Sequence, residues 1–228
     1  MIVHILTLFP KMFEGPFDES MVKRAKNKRL VKIHIVDIRH FSKEKHKKAD
    51  DRPFGGGPGM VLSVEPIYRA LLSVKKKDPV PYSILLSAGG KPFTQKTARR
   101  LSKKKHLIFV CGHYEGVDER VKRWVNEELS MGDYILTCGE IPAMAIVDSV
   151  VRLLPGVLGD STSSGSESFE TDLLEYPHYT RPRIFQGMKI PDVLLSGDHK
   201  KIADWRMEKA VERTLKNRPE LLKGKFDG

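Results

Sequence analysis

The chain has 228 residues, room for one large domain or one and a half, and its 40 % hydrophobic content can fill a core, which excludes wholesale disorder. Forty Lys and Arg against 29 Asp and Glu leave a net charge of +11 and a pI near 9.6, a balance that favours a polyanionic partner. Two cysteines, Cys111 and Cys138, give neither a disulfide framework nor zinc-ligand spacing, and no uncharged apolar run approaches the roughly 18 residues of a membrane span. The opening run Met1-Ile2-Val3-His4-Ile5-Leu6-Thr7-Leu8-Phe9-Pro10 lacks the basic start and small-residue cleavage site of a signal peptide, so a soluble, reduced, cytoplasmic protein is expected.

Strands are predicted at residues 2–8, 31–36, 82–86, 107–111 and 134–137, each short and aliphatic or β-branched, as for strands covered on both faces. Helices are predicted at 64–74, 94–102 with Thr94 as N-cap, 117–125 and 143–154. Strand–helix alternation with short connections predicts an α/β fold with a parallel sheet. Beyond Leu154 the stretch Gly159-Asp160-Ser161-Thr162-Ser163-Ser164-Gly165-Ser166 cannot hold a fixed structure alone, and residues 199–216 read as an amphipathic helix with Ile202, Trp205, Ala210 and Leu215 toward one side. The expected division is an α/β domain over residues 1–158, a flexible linker over 159–172 and a small helical domain over 173–228. Charge is uneven along this plan. Residues 1–110 carry 24 basic and 9 acidic side chains, a cationic face suited to nucleic acid, whereas residues 111–160 carry 4 and 9, suited to a cationic small ligand or a metal.

Phe54-Gly55-Gly56-Gly57-Pro58-Gly59-Met60 resembles a nucleotide loop but fails as one. Met60 stands where a dinucleotide fingerprint needs its last glycine, and no Gly-Lys-Ser/Thr follows for a P-loop. Its glycines still permit close approach of a ligand, so a substrate-facing loop and a bare turn both remain open. In an open parallel sheet ligands bind beyond the carboxyl ends of the strands. Three strand ends carry loop-forming residues: Leu86-Ser87-Ala88-Gly89-Gly90-Lys91, Cys111-Gly112-His113-Tyr114-Glu115-Gly116, and Met131-Gly132-Asp133-Tyr134-Ile135-Leu136-Thr137-Cys138-Gly139-Glu140-Ile141-Pro142. Their glycines expose backbone groups able to read an adenine edge. Tyr114, Leu136 and Pro142 supply apolar walls, and Glu115, Asp133 and Glu140 make the neighbourhood negative. The plainer alternative makes Asp133 and Glu140 caps and Tyr134 a core residue.

These loops, with Asp50-Asp51-Arg52-Pro53 ahead of the glycine run and Tyr176-Pro177-His178-Tyr179-Thr180-Arg181-Pro182, resemble the bacterial tRNA (guanine-N1)-methyltransferases over nearly the whole chain. That family is of the trefoil-knotted (SPOUT) class, works as a homodimer, and uses S-adenosylmethionine to methylate the guanine at tRNA position 37, just 3′ of the anticodon. The resemblance implies a knot in the α/β domain and a cofactor bound by Leu86, Ser87, Ala88, Gly112, Tyr114, Glu115, Met131, Gly132, Asp133, Tyr134, Ile135, Leu136, Gly139 and Pro142. It implies a catalytic arginine at Arg152 and a catalytic carboxylate at Glu167. The family's Mg2+ requirement would involve Glu115 and that carboxylate. Two positions depart from the pattern: Glu167 stands where the family has aspartate, and Cys138-Gly139 where it commonly has Gly-Gly. Family members also often carry a longer tail than one ending at Gly228.

Guanine N1 is a poor nucleophile until its proton leaves. A carboxylate within hydrogen-bond reach would take that proton while a guanidinium stabilises the charge spreading to O6, roles assigned to Glu167 and Arg152. The linker would close over the site when tRNA arrives, with Lys200, Lys201 and Arg206 among the phosphate contacts. A knotted methyltransferase acting on another RNA position and a non-catalytic RNA-binding module are the alternatives.

Overall fold

The computed structural model describes residues 1–76, 79–158, 168, 169 and 172–222, and the chain divides into two units, Met1–Gly159 and Asp160–Gly228. In the first, β1 (Ile2–Thr7), α1 (Ser20–Asn27), β2 (Lys32–Asp37), the short pair β3 (Asp50–Asp51) and β4 (Val61–Leu62), and α2 (Val64–Lys75) are followed by β5 (Tyr82–Pro92), α3 (Gln95–Ser102), β6 (His106–Cys111), β7 (Glu127–Ser130) and α4 (Glu140–Val151). Five of these strands make one sheet in the order β2-β1-β6-β5-β7, with every pair parallel. The expected α/β fold with a parallel sheet is present.

Both faces of the sheet are covered, so its central strands read as unbroken apolar runs without a period of two. Every residue of β6 is buried. Val3, Ile5, Leu107, Phe109 and Cys111 pack with Ala25 of α1, Leu101 of α3 and Ile146, Val147 and Val150 of α4. Leu6, Leu85, Ile108 and Val110 point the other way, onto Ile67, Leu71 and Val74 of α2. Each such side chain contributes roughly 1.5–3 kcal/mol when fully buried. Two histidines lie in this core at 3 % and 2 % exposure and satisfy each other: His4 Nδ1 and His106 Nε2 are 2.8 Å apart. The Pro79 carbonyl, 2.8 Å from His106 Nδ1, only accepts, so in the neutral pair His106 donates there and takes the His4 N–H on Nε2.

The predicted elements differ from the structure where polar residues are buried or apolar ones exposed. Residues 134–137 are not a strand; the fifth strand is β7, whose glutamates the alternation rule passes over. Arg100 holds Glu127 with two 2.7 Å hydrogen bonds, and Lys122 pairs with Glu128 at 3.3 Å. The helix predicted at 117–125 is a short 3-10 turn, Glu119–Trp124, begun by the Asp118 carboxylate accepting from the Arg120 N–H, because Val117 is held in a parallel bridge to Leu62. Strand β5 runs on to Pro92 with a register shift between Leu86 and Lys91. Helix α4 starts at Glu140, three residues before its predicted start, and the highly charged α1 was not predicted. Thr94 caps α3 as expected, its hydroxyl accepting from the Thr97 N–H at 3.3 Å.

The second unit contains a two-stranded hairpin, β8 (Ile184–Phe185) with β9 (Met188–Lys189), and α5 (His199–Asn217), so it is helical with a small strand pair. Asp198 caps α5 by accepting from the Lys201 N–H at 3.1 Å. Its buried side is Ala210 and Thr214, with Ile202 and Trp205 half-buried; Leu215 is 56 % exposed, contrary to the amphipathic reading. Thr214 replaces it because its hydroxyl is useful there, accepting from the Leu174 N–H at 2.8 Å and donating to the Ala210 carbonyl at 2.7 Å. Among the described residues no helix is long and apolar enough to cross a membrane.

Candidate functional site

A cavity of about 410 Å³ opens at the carboxyl ends of β5, β6 and β7. Its walls are residues 85–88, 112–117 and 128–139 with Asp133 omitted, together with Glu119, Lys122 and Pro142. Every residue expected to bind a cofactor therefore lies on this cavity except Asp133, which is exposed and outside it. Tyr134 and Ile135, 56 % and 85 % exposed, stand on the rim, so the reading of Tyr134 as core is wrong and an apolar run that resembles a strand borders the cavity. His113, Glu119, Lys122 and Glu128 also line the cavity without having been assigned a role from sequence; Glu119 and Lys122 fall where a helix is predicted at 117–125, and Glu128 in a strand that is not predicted.

The floor is two glycines in backbone contact. The Gly139 N–H donates to the Gly112 carbonyl at 2.7 Å, and a Cβ on Gly139 would sit 2.7 Å from the Gly112 nitrogen and 2.8 Å from the Cys111 Cα. Only glycine fits. A similar crossing holds β5 to β7, where a Cβ on Gly90 would lie 2.5 Å from backbone atoms of Leu129. Cys138, bridged to His113, is 7 % exposed on the cavity wall, which answers how a side chain is accommodated beside Gly139.

Tyr114 takes φ +56°, a conformation costly outside glycine and concentrated at ligand sites. Its ring meets His113 edge-on at 4.4 Å, and Phe9 backs His113 at 4.5 Å. Glu115 is exposed; its N–H donates to the Met60 carbonyl at 3.1 Å, and its side chain occupies the space beside Gly59. Glu119, with Glu128, holds the Lys122 ammonium above its usual pKa. The three carboxylates Glu115, Glu119 and Glu128 outnumber that one cation among the cavity's charged side chains, so the field suits a cationic ligand.

Beneath the floor, Glu140 is fully buried as the first residue of α4, accepting from the Thr7 hydroxyl at 2.5 Å, while Thr7 in turn accepts from the Phe9 N–H. It is neither an ordinary exposed cap nor part of the cavity wall. Burial, then the neighbouring Glu140 carboxylate and Cys138, push the Cys111 thiol well above its ordinary range. Cys111 is accordingly expected to resist iodoacetamide at neutral pH in the native protein and to react only once denaturant opens the core. Mass spectrometry of alkylated peptides checks this; rapid native labelling at Cys111 would contradict it.

Of the two residues assigned to catalysis, Arg152 is not among the cavity's lining residues. Arg152 caps the far end of α4, its N–H donating to the Asp148 carbonyl at 3.0 Å, and the helix puts roughly 20 Å between it and Gly139 at 1.5 Å per residue. Glu167, with most of the expected linker, lies outside the described residues. Among the described residues no group of three His, Cys, Asp or Glu side chains converges as a metal centre, so the Mg2+ assignment at Glu115 finds no supporting ligand set. The cavity does fit a nucleoside-bearing cation. The buried His113 Nδ1 and Glu128 Oε1 have no hydrogen-bond partner, the glycine floor permits backbone approach, and the volume is in the range of small-molecule sites.

Fold and cavity together define an α/β protein with a small-ligand site over the carboxyl ends of a parallel sheet. A profile of the family described as tRNA (Guanine-1)-methyltransferase TrmD matches residues 1–224. A tRNA (guanine-N(1)-)-methyltransferase from Dictyoglomus turgidum is 56 % identical over 220 residues, 96 % of this chain and 89 % of that one. Another, from Carboxydothermus hydrogenoformans, is 55 % identical over 224 residues, 98 % and 88 % of the two chains. The crystal structure of tRNA (m1G37) methyltransferase from Aquifex aeolicus matches with TM-score 0.80 at 42 % identity, over 96 % of this chain and 93 % of that one. The chain belongs to the tRNA (guanine-1)-methyltransferase family.

Proposed function

We propose that this protein transfers a methyl group from S-adenosylmethionine to N1 of the guanine at position 37 of tRNA. The observation that carries this is the glycine-floored cavity between residues 85–88, 112–117 and 128–139, in a chain that matches this family over residues 1–224. S-adenosylmethionine supplies an electrophilic methyl on a sulfonium. The carboxylates around the cavity favour its positive charge, and backbone groups of the rim loop hold its adenine.

Glu167 accepts the guanine N1 proton, and the Arg152 guanidinium stabilises the charge that moves to O6. Because Arg152 lies a helix length from Gly139, the reading includes a homodimer in which each Arg152 serves the other subunit's cavity. The two backbone crossings that exclude a Cβ, Gly90 on Leu129 and Gly139 on Gly112, support a trefoil knot around the cavity. Residues 1–158 then form the cofactor domain, 159–172 a linker that closes on tRNA, and 173–228 a tRNA-binding domain, working in the cytoplasm. No step is routed through a metal.

Labelled methyl transfer to tRNA transcripts with guanine or adenine at position 37 tests the reading. Incorporation is expected only with the guanine, and with RNA affinity falling steeply as salt rises. Transfer indifferent to that base, or none at all, would overturn it.

A further inference from the structure

The glycine run set aside as a nucleotide loop carries a feature that the methyl-donor site does not use. Phe54 at its head is 103 % exposed, fully stripped of neighbours. Gly55, Gly56 and Gly57 follow with φ of +85°, +79° and +114°, and a Cβ on any of them would meet nothing within 4 Å. The ring therefore stands alone with both faces open. The far end of the loop is fixed: the Glu115 N–H donates to the Met60 carbonyl, the Leu62 N–H donates to the Gly116 carbonyl at 3.0 Å, and Gly59 lies against the Glu115 side chain. Six residues of chain span at most about 20 Å, so Phe54 stays within a few nucleotides' length of the cavity wall. The exposed cations Lys45, Lys47 and Arg52 precede it.

An aromatic ring with bare faces beside cations, set on glycines that keep side chains out of the way, has the chemistry of a single-stranded nucleic-acid platform. We propose that Phe54 stacks on an unpaired base of the anticodon loop next to the target guanine, while Lys45, Lys47 and Arg52 meet the adjoining phosphates. This rests on the tRNA substrate proposed above. An extruded guanine leaves its neighbours without a stacking partner, and a ring tethered to the cavity wall replaces it.

The test is a cycle of Phe54→Ala and Phe54→Trp against anticodon stem-loops carrying an abasic residue at each nucleotide flanking the guanine. Phe54→Ala is expected to weaken binding of the intact stem-loop roughly 10- to 100-fold, with S-adenosylhomocysteine affinity and sedimentation unchanged. Phe54→Trp restores it. One abasic position should cost the wild type a similar factor and cost Phe54→Ala nothing more. Wild-type affinity in Phe54→Ala, additive losses at every abasic position, or a change in sedimentation in Phe54→Ala each overturns the assignment; the last would seat Phe54 against a second copy of the chain. Failure of the wild type itself to bind or methylate the RNA would instead remove the tRNA reading beneath it.

Discussion

Gly139→Ala is expected to raise the dissociation constant for S-adenosylhomocysteine by roughly 10- to 100-fold, the order of loss when a buried backbone contact at a ligand site is broken. The added methyl would sit 2.7 Å from the Gly112 nitrogen, 2.8 Å from the Cys111 Cα and 3.1 Å from the Cys111 carbonyl carbon. All three are backbone atoms at the end of β6 and the start of the loop after it, so no side chain can swing aside. Relief requires moving α4 off the sheet and lengthening the 2.7 Å bond from Gly139 to Gly112 that closes the cavity floor. Overpacking of this kind costs about 1–3 kcal/mol, a fall of roughly 2–12 °C in Tm for a chain of this size. Gly112→Ala is the internal comparison. Its Cβ would meet the Leu86 carbonyl at 3.4 Å and Val117 at 3.7 Å, near ordinary contact, so it should melt close to the wild type. Calorimetric titration and thermal melts of both variants decide the matter; wild-type affinity in Gly139→Ala would mean the cofactor binds elsewhere.

Glu167→Gln is expected to lower turnover by at least roughly 10²-fold, the low end of what a positioned proton acceptor contributes. The amide has the same size and hydrogen-bonding reach but cannot hold the N1 proton, so S-adenosylhomocysteine affinity and tRNA affinity should stay near wild-type values. Single-turnover methylation separates the chemical step from binding and release. Near-normal single-turnover rates would take the role from Glu167 and give it to Glu170 or Asp172. Asp172 has the left-handed φ of +60° that accompanies constrained functional positions.

The sheet was legible where strands are dominated by aliphatic and β-branched residues. Residues 2–8, 31–36 and 107–111 predict β1, β2 and β6 to within one or two residues; in β1 and β6 this composition reflects burial, whereas β2, at the sheet edge, keeps Lys32 and His34 exposed. It was not legible at β7, where Glu127 and Glu128 occupy a strand only because Arg100 and Lys122 reach them from other elements. Partners that come from α3 and from the 3-10 turn, outside the strand itself, leave no pattern within it. The opposite error at residues 134–137 has the same root. Ile135 is 85 % exposed on the rim of the cavity, and a rule that places isoleucine inside has no term for a cavity rim. The cavity itself was largely legible, since glycine-rich strand ends in a parallel sheet converge by construction. Charged walls contributed by Lys122 and Glu128 were not, because their position depends on the 3-10 turn and strand that the sequence concealed.

The strand order has a consequence for how the protein comes into being. β1 pairs with β6 about a hundred residues later, and the cavity's walls leave the sheet at β5, β6 and β7 before Gly139 seals them from below. Such distant pairings make for slow acquisition of the native state. With the methyl donor in the proposed cavity, a nascent chain ending before α4 lacks the Gly139 floor needed to hold it, however much helix and sheet it has already formed. In refolding, far-UV ellipticity should therefore recover first and S-adenosylhomocysteine capture last, which makes capture a direct clock for completion of the topology.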